Sequence, residues 1–252
     1  MILEHVDRRV LGAIRLVDAV SGAEIKESLD VRAEGVRFAR NQRGYYVLFD
    51  APGLQEHTHA FLTPPAAPPL GSIAVQLTVS DPAGRYMPRL AAITLPRDPD
   101  TQNVEADNSL FRPMTVPLLP SPSMAVSSGW AAVRVTVLAE GARQPLPRAL
   151  LRVTRTVDGE PTLLGRGLSD SHGDALVAIA GIPVTTWAEE ESESVIVTEI
   201  EATLQAVFDP AAGPIVDPDD LEARMEDLAS ASAAINLASG QEVRMTLLVP
   251  VP

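Results

Sequence analysis

Apolar and polar residues alternate most cleanly over Ile73–Ser80 (IAVQLTVS), where Ile73, Val75, Leu77 and Val79 share one face. Gln76, Thr78 and Ser80 share the other, and a period of two is the mark of a half-buried strand. Ala132–Leu138 repeats the pattern with Val133, Val135 and Val137 on one face. Shorter runs predict strands at Val10–Val17, Leu29–Ala33, Val36–Ala39, Gly44–Phe49, Leu90–Leu95 and Leu150–Thr154. A short polar strand from Gly165, then Ala175–Ile179 and Val243–Val249, extend the series, and Leu110–Leu119 offers one edge strand. Ser194–Phe208 reads as the longest strand, with Ile200, Leu204 and Phe208 facing one way.

Glycine and proline punctuate these runs. Asp18-Ala-Val-Ser-Gly22, Asp50-Ala-Pro-Gly53 and Asp81-Pro-Ala-Gly84 are turn sequences, in which Asp bonds the backbone and Gly accepts a positive φ. The stretch around which the chain is organised is Gly165–Pro183, with turns at Ser169–Gly173 and Gly181–Pro183. Asp170, Gly173 and Gly181 are its structural turn residues. One helix is predicted, about 217–233: Asp217 is a suitable N-cap, Pro218 fits the first helical position, and Asp219 and Asp220 favour the positive end of the dipole. Its stripe of Leu221, Met225 and Leu228 can face either its own sheet or a partner.

Pro120-Ser-Pro-Ser123 and Val126-Ser-Ser-Gly129 mark a linker over 118–128, between modules at 1–117 and 129–252. The modules open alike: Arg15–Ile25 (RLVDAVSGAEI) and Thr136–Leu146 (TVLAEGARQPL) both read strand, turn, strand, as a duplication would. The 22 prolines, about twice the usual share, oppose long helices. The expected fold is all-β: two tandem Ig-like antiparallel β-sandwiches, with one short helix in the second. Aromatics are 4% against 46% apolar residues, so the cores must be aliphatic.

A net charge of −13 repels nucleic acid and anionic membranes and suits a basic partner patch. There are no cysteines, hence no disulfides and no thiolate chemistry. The first 19 residues carry Glu4, Asp7, Arg8 and Arg9 where a signal peptide needs an apolar core, and no apolar run approaches a membrane span of about 20 residues. A cytoplasmic protein, or one carried in a particle, is expected.

Little in the chain reads as chemistry. His57 and His59 would share one face of a strand, as two metal ligands must, but no third ligand has matching spacing and the flanking prolines suggest an exposed loop. Ser169-Asp170-Ser171-His172 holds the residue types of nucleophilic catalysis, yet neighbours in a tight turn cannot align as a triad. The Glu189–Glu193 run reads as a solvated loop. Trp130 and Trp187 read as core or interface anchors, and Tyr45, Tyr46 and Tyr86 would make a sugar-binding platform only by clustering. No cofactor is expected and no catalytic or metal site is assigned.

The second module resembles the carboxypeptidase regulatory-like, or transthyretin-like, family through AAVRVTVLAEG, QPLPRALLRVT, GLSDSHGDALVAI and AGIP. Asp170 and Gly173 occupy the Asp and Gly of the family's T-D-x-x-G turn, with Ser169 in place of Thr. The first module resembles it through RLVDAVSGAEI, LDVRA and GYYVLFDAPG. Tandem modules of this kind are similar to accessory proteins of contractile phage-tail-like injection particles. That resemblance implies a non-catalytic assembly subunit with sheath, tube, cap, collar or baseplate proteins as partners, or copies of itself. The alternative is a carbohydrate- or surface-binding module, with an enzyme third.

Overall fold

The computed structural model describes residues 9–60, 63, 65–182, 185–189, 192–196 and 199–251, with backbone alone for 185–189 and 192–196. The chain forms two compact units. The first takes Met1–Val17, Ala23–Pro82 and Arg89–Pro117; the second takes Asp18–Gly22, Ala83–Pro88 and Leu118–Pro252. The segment expected as a linker, 118–128, is thus part of the second unit. Its backbone is tied down there: Ser121 N donates to Arg85 O at 2.8 Å, and Arg134 donates to the Pro122 and Met124 carbonyls.

The first sandwich has strands β1 (Gly12–Asp18), β2 (Asp30–Arg32), β3 (Arg37–Arg40) and β4 (Tyr46–Asp50), then helix α1 (Gln55–His59). Strands β5 (Ile73–Ser80), β6 (Arg89–Leu95) and β7 (Met114–Leu118) complete it. One sheet has the order β3-β4-β1-β7 and the other β2-β5-β6. Alternation decides what each buries: Ile14 and Leu16 from β1, Leu48 from β4, Leu77 and Val79 from β5, Ile93 and Leu95 from β6. The polar stretch after β6 is shaped by Arg97, whose buried guanidinium donates to the carbonyls of Ser109 (3.0 Å) and Asp107 (2.5 Å).

The second sandwich has β8 (Ala131–Ala139), β9 (Leu150–Val157), β10 (Glu160–Leu168) and β11 (Asp174–Ile179). A hairpin of β12 (Thr185–Glu189) and β13 (Ser192–Ile196) follows, then β14 (Ile200–Phe208), helix α2 (Pro218–Ala223), β15 (Ala229–Leu237) and β16 (Glu242–Val249). Its sheets are β10-β9-β14-β15 and β11-β8-β16. Val133, Val135 and Val137 meet Leu151, Val153, Val177 and Leu204 in an aliphatic core, in which Phe208 is the one aromatic among the described residues.

The internal repeat extends to the structure. Ile25 N donates to Leu16 O at 3.0 Å, and at the matching positions Leu146 N donates to Val137 O at 3.0 Å. Gly22 (φ +70°) and Arg143 (φ +55°) hold the same left-handed turn position. The partners Ile73↔Leu95 and Val75↔Ile93 recur as Ile200↔Leu237 and Ala202↔Ile235. The two copies differ in their third strand, because different turns are tight. Asp158 and Gly159, at φ +52° and +86°, close a two-residue hairpin that keeps β10 beside β9. In the first copy the Asn41 side chain accepts from the amides of Arg43 (3.0 Å) and Tyr45 (2.9 Å), which hairpins β3 onto β4 instead.

Four expectations are corrected. Helix α2 stops at Ala223, followed by a short 3-10 turn at Met225–Asp227, and the alanines and serines after Leu228 form β15 rather than more helix. Nine backbone partners on β14, from Phe208↔Ala229 to Ile200↔Leu237, outweigh the helix propensity of that stretch. Ser194–Phe208 is not one strand but parts of β13 and β14. The sheets are not wholly antiparallel, since β16 lies parallel to β8 from Glu242↔Ala132 to Val249↔Ala139. The pleat has the same period in either direction, so alternation cannot encode it. The first unit also carries a helix of its own, α1.

Candidate functional site

The organising turn is built as structure. Asp170 Oδ1 accepts from the amides of His172 (2.8 Å) and Asp174 (3.1 Å), and Gly173 N donates to Asp170 O at 3.1 Å. Gly173 sits at φ +79°, and a Cβ there would lie 2.5 Å from Val137 O, so only glycine fits. Gly181 takes φ +76° in open space. Ser169 is fully buried; its hydroxyl donates to Leu146 O at 2.6 Å and accepts from Ala149 N at 2.8 Å. Ser171 Oγ and Asp170 Oδ2 both approach Nδ1 of exposed His172, at 3.3 and 3.8 Å. A triad needs serine and aspartate on opposite ring nitrogens, so this geometry relays no proton.

His57 and His59 lie on α1, not on a strand. Two residues apart on a helix, they point to different sides and cannot share a metal. His57 is buried and His59 exposed. No group of three or more His, Asp or Glu is arranged for a metal among the described residues.

The tyrosines do not form a platform. Tyr46 is buried, with its hydroxyl donating to Leu29 O at 2.6 Å and accepting from Leu29 N at 2.7 Å. Tyr86 is buried and donates to Asp18 Oδ2 at 3.2 Å. Tyr45, just before β4, donates to Glu24 at 2.8 Å, and that bond holds its hydroxyl proton more tightly than usual. Trp130 is half-buried; Trp187 is on β12, whose side chains lie outside the description, and Glu190 and Glu191 of the acidic run lie outside the described residues.

The α2 stripe faces inward. Leu221 joins Leu119, Leu150, Leu168, Val207 and Val216 in a second small cluster, against which Met225 and Leu228 pack. The interface role open to these three residues is therefore filled within the chain. Asp217 caps the helix, accepting from Asp219 N at 3.1 Å. Glu222 then clamps it to the sheet through Arg152 and Arg166, each at 2.7 Å. Burial works against the charge on Arg166, but hydrogen bonds to Asp219 and Glu222 prevail and raise its pKa.

What the folds leave open are strand edges. The outer edge of β16 has no further strand beside it among the described residues. It carries Glu242, whose pKa is held below the ordinary value by hydrogen bonds from Arg134 (3.0 Å) and Arg244 (2.5 Å). In the first sandwich β2 pairs with only Thr78–Ser80 of β5. Ile73–Leu77 therefore borders an open groove of about 600 Å³, walled by Arg32, Ala33, Glu34 and Pro52. The second sandwich has a counterpart of about 730 Å³, where β9 parts from the start of β14. The two grooves were not readable from alternation, because they depend on where a neighbouring strand stops or parts from its partner.

No family model matches the chain, and no characterised protein matches it in sequence. Among solved structures it is similar to the shaft pilin SpaA of Lactobacillus rhamnosus GG, with a TM-score of 0.28, 11% identity and coverage of 71% of this chain and 62% of the pilin. The Bacillus anthracis TIE protein follows at 0.28 and 10% identity, covering 96% of this chain and 34% of that one. (S)-Allantoin synthase stands at 0.26 and 12%, covering 50% and 42%. The chain spans less than two thirds of each, and similarity this low assigns neither a fold relationship nor an activity. No helix among the described residues is long and apolar enough to cross a membrane.

Proposed function

We propose that this protein is a non-catalytic assembly subunit whose two sandwiches present strand edges to partner proteins. The observation that carries the reading is the open outer edge of β16, eight residues long and ending one residue before Pro250. An edge presents unpaired amides and carbonyls that a second chain can pair with. Two residues of types that could have supported catalysis, Ser169 and Asp170, are spent on a buried hydrogen bond and a turn. In the finer form of the proposal, the chain is a cap-, collar- or baseplate-associated subunit of a contractile tail-like particle. That form rests on the resemblance of its tandem modules.

Purification of the tagged protein from its native lysate, with mass spectrometry and negative-stain imaging, tests it. Sheath or tube subunits, or tail-shaped particles, are the expected yield. A lone monomer overturns the proposal.

A further inference from the structure

The half-open strand β5 says more about what is docked. Its partner β2 ends at Arg32, opposite Thr78. The chain then turns away at Gly35, where φ is +67° and a Cβ would meet Pro52 Cγ at 2.7 Å, so the turn is seated firmly. Towards its start β5 keeps β6 on one side, from Leu77↔Ala91 to Ile73↔Leu95, and has no strand on the other among the described residues. The result is a slot inside a sheet rather than an outer rim. It is five residues long, roughly 17 Å at strand rise, with a β-strand as floor and the departing chain as wall.

The slot lacks the devices that guard edges. Elsewhere the edge strand β3 carries Arg37 and Arg40, and the edge strand β7 contains Pro117. Ile73-Ala-Val-Gln-Leu77 has no charge and no proline. Its counterpart beside β14 is flanked by Glu199 and Glu201. At the β5 slot Arg32 is neutralised by Asp30 at 2.5 Å, whereas exposed Glu34 has no ion pair among the described residues. The local excess is one negative charge, on a chain whose net charge is −13.

Resting on the assembly reading above, we infer that this slot receives an extended segment of a partner protein, added as a strand beside Ile73–Leu77. The segment has apolar residues at alternate positions, continuing the buried face of Val75 and Leu77, and an arginine or lysine at its flank to meet Glu34. A second copy of this chain is disfavoured, because both partners would bring the same acidic excess.

The test uses the full chain and a synthetic peptide, acetyl-Arg-Val-Thr-Val-Thr-Val-Arg-amide, with amide hydrogen exchange read at Ile73–Leu77. Exchange should slow at least tenfold at alternate amides. A version with proline in place of its central valine should fail, and Glu-flanked peptide should bind more weakly. Glu34→Arg, at an exposed position, should reverse the preference between the two flanks. Unchanged exchange at millimolar peptide overturns the inference, as does protection that grows with protein concentration alone, the mark of a second copy. Particles recovered equally with Glu34→Arg, without protection, remove the slot and leave the assembly reading. Protection without any particle does the reverse.

Discussion

Gly167 stands so close to Leu176 that a Cβ on the glycine would lie 2.4 Å from the leucine carbonyl oxygen. The two belong to β10 and β11, strands of opposite sheets, and Gly165 makes a similar approach to Val177 and Ala178. Glycine on this face of β10 brings the sheets together just before the chain crosses between them at Ser169–Gly173.

Gly167→Ala should therefore cost about 2–4 kcal/mol, since backbone, not a flexible side chain, is in the way. Urea unfolding measures it. A loss under about 0.5 kcal/mol would mean that β10 can move outward freely.

Ser169→Ala removes a buried hydroxyl that serves Leu146 O and Ala149 N at once. Leaving both backbone groups without that partner should cost about 1–3 kcal/mol. Ser171→Ala, in the exposed part of the same turn, should be close to neutral, and thermal unfolding of the pair separates buried from exposed.

Helix α2 depends on its cap and its clamp. Asp217→Ala should cost about 1 kcal/mol through the lost N-cap. Glu222→Ala should cost more, about 2–3 kcal/mol, because it leaves Arg152 without its carboxylate and weakens Arg166, both largely shielded. Equal losses would mean that the clamp contributes little beyond solvent-exposed charge.

Glu242 sets a local acid response. Its folded pKa lies below the unfolded one, so its contribution is present above the unfolded value of about 4.3 and is lost as pH falls through the folded value. The group is exposed, so global stability should barely change. The Arg134 Nε–H resonance should instead shift as Glu242 protonates, with a midpoint below 4.3. Glu242→Gln should abolish that titration; its persistence would assign it to another group.

Much was legible locally. Ile73–Ser80 forms β5 with the bounds that its alternation predicts, because one buried face imposes a period of two. Asp18 caps its turn through the amides of Val20 (3.0 Å) and Ser21 (2.7 Å), and Asp217-Pro218 starts α2, since such bonds span only two or three residues. The likeness of Arg15–Ile25 to Thr136–Leu146 carried through to matching hydrogen bonds.

Tertiary structure alone decided the rest. Whether residues 229–233 continue a helix or join a sheet depended on β14 offering nine partners, a contact invisible to local propensity. The direction of β16 depended on which strand had a free side, and the slot beside β5 exists because β2 stops after three residues. One such outcome did leave a local trace: Asp158-Gly159, an apt two-residue hairpin turn, is what holds β10 to β9. By itself the sequence determined which residues face inward and where the chain turns, because those are set by neighbours a few positions away. Which strands meet, and which edges are left unmet, was decided by residues far apart in the chain competing for the same backbone partners.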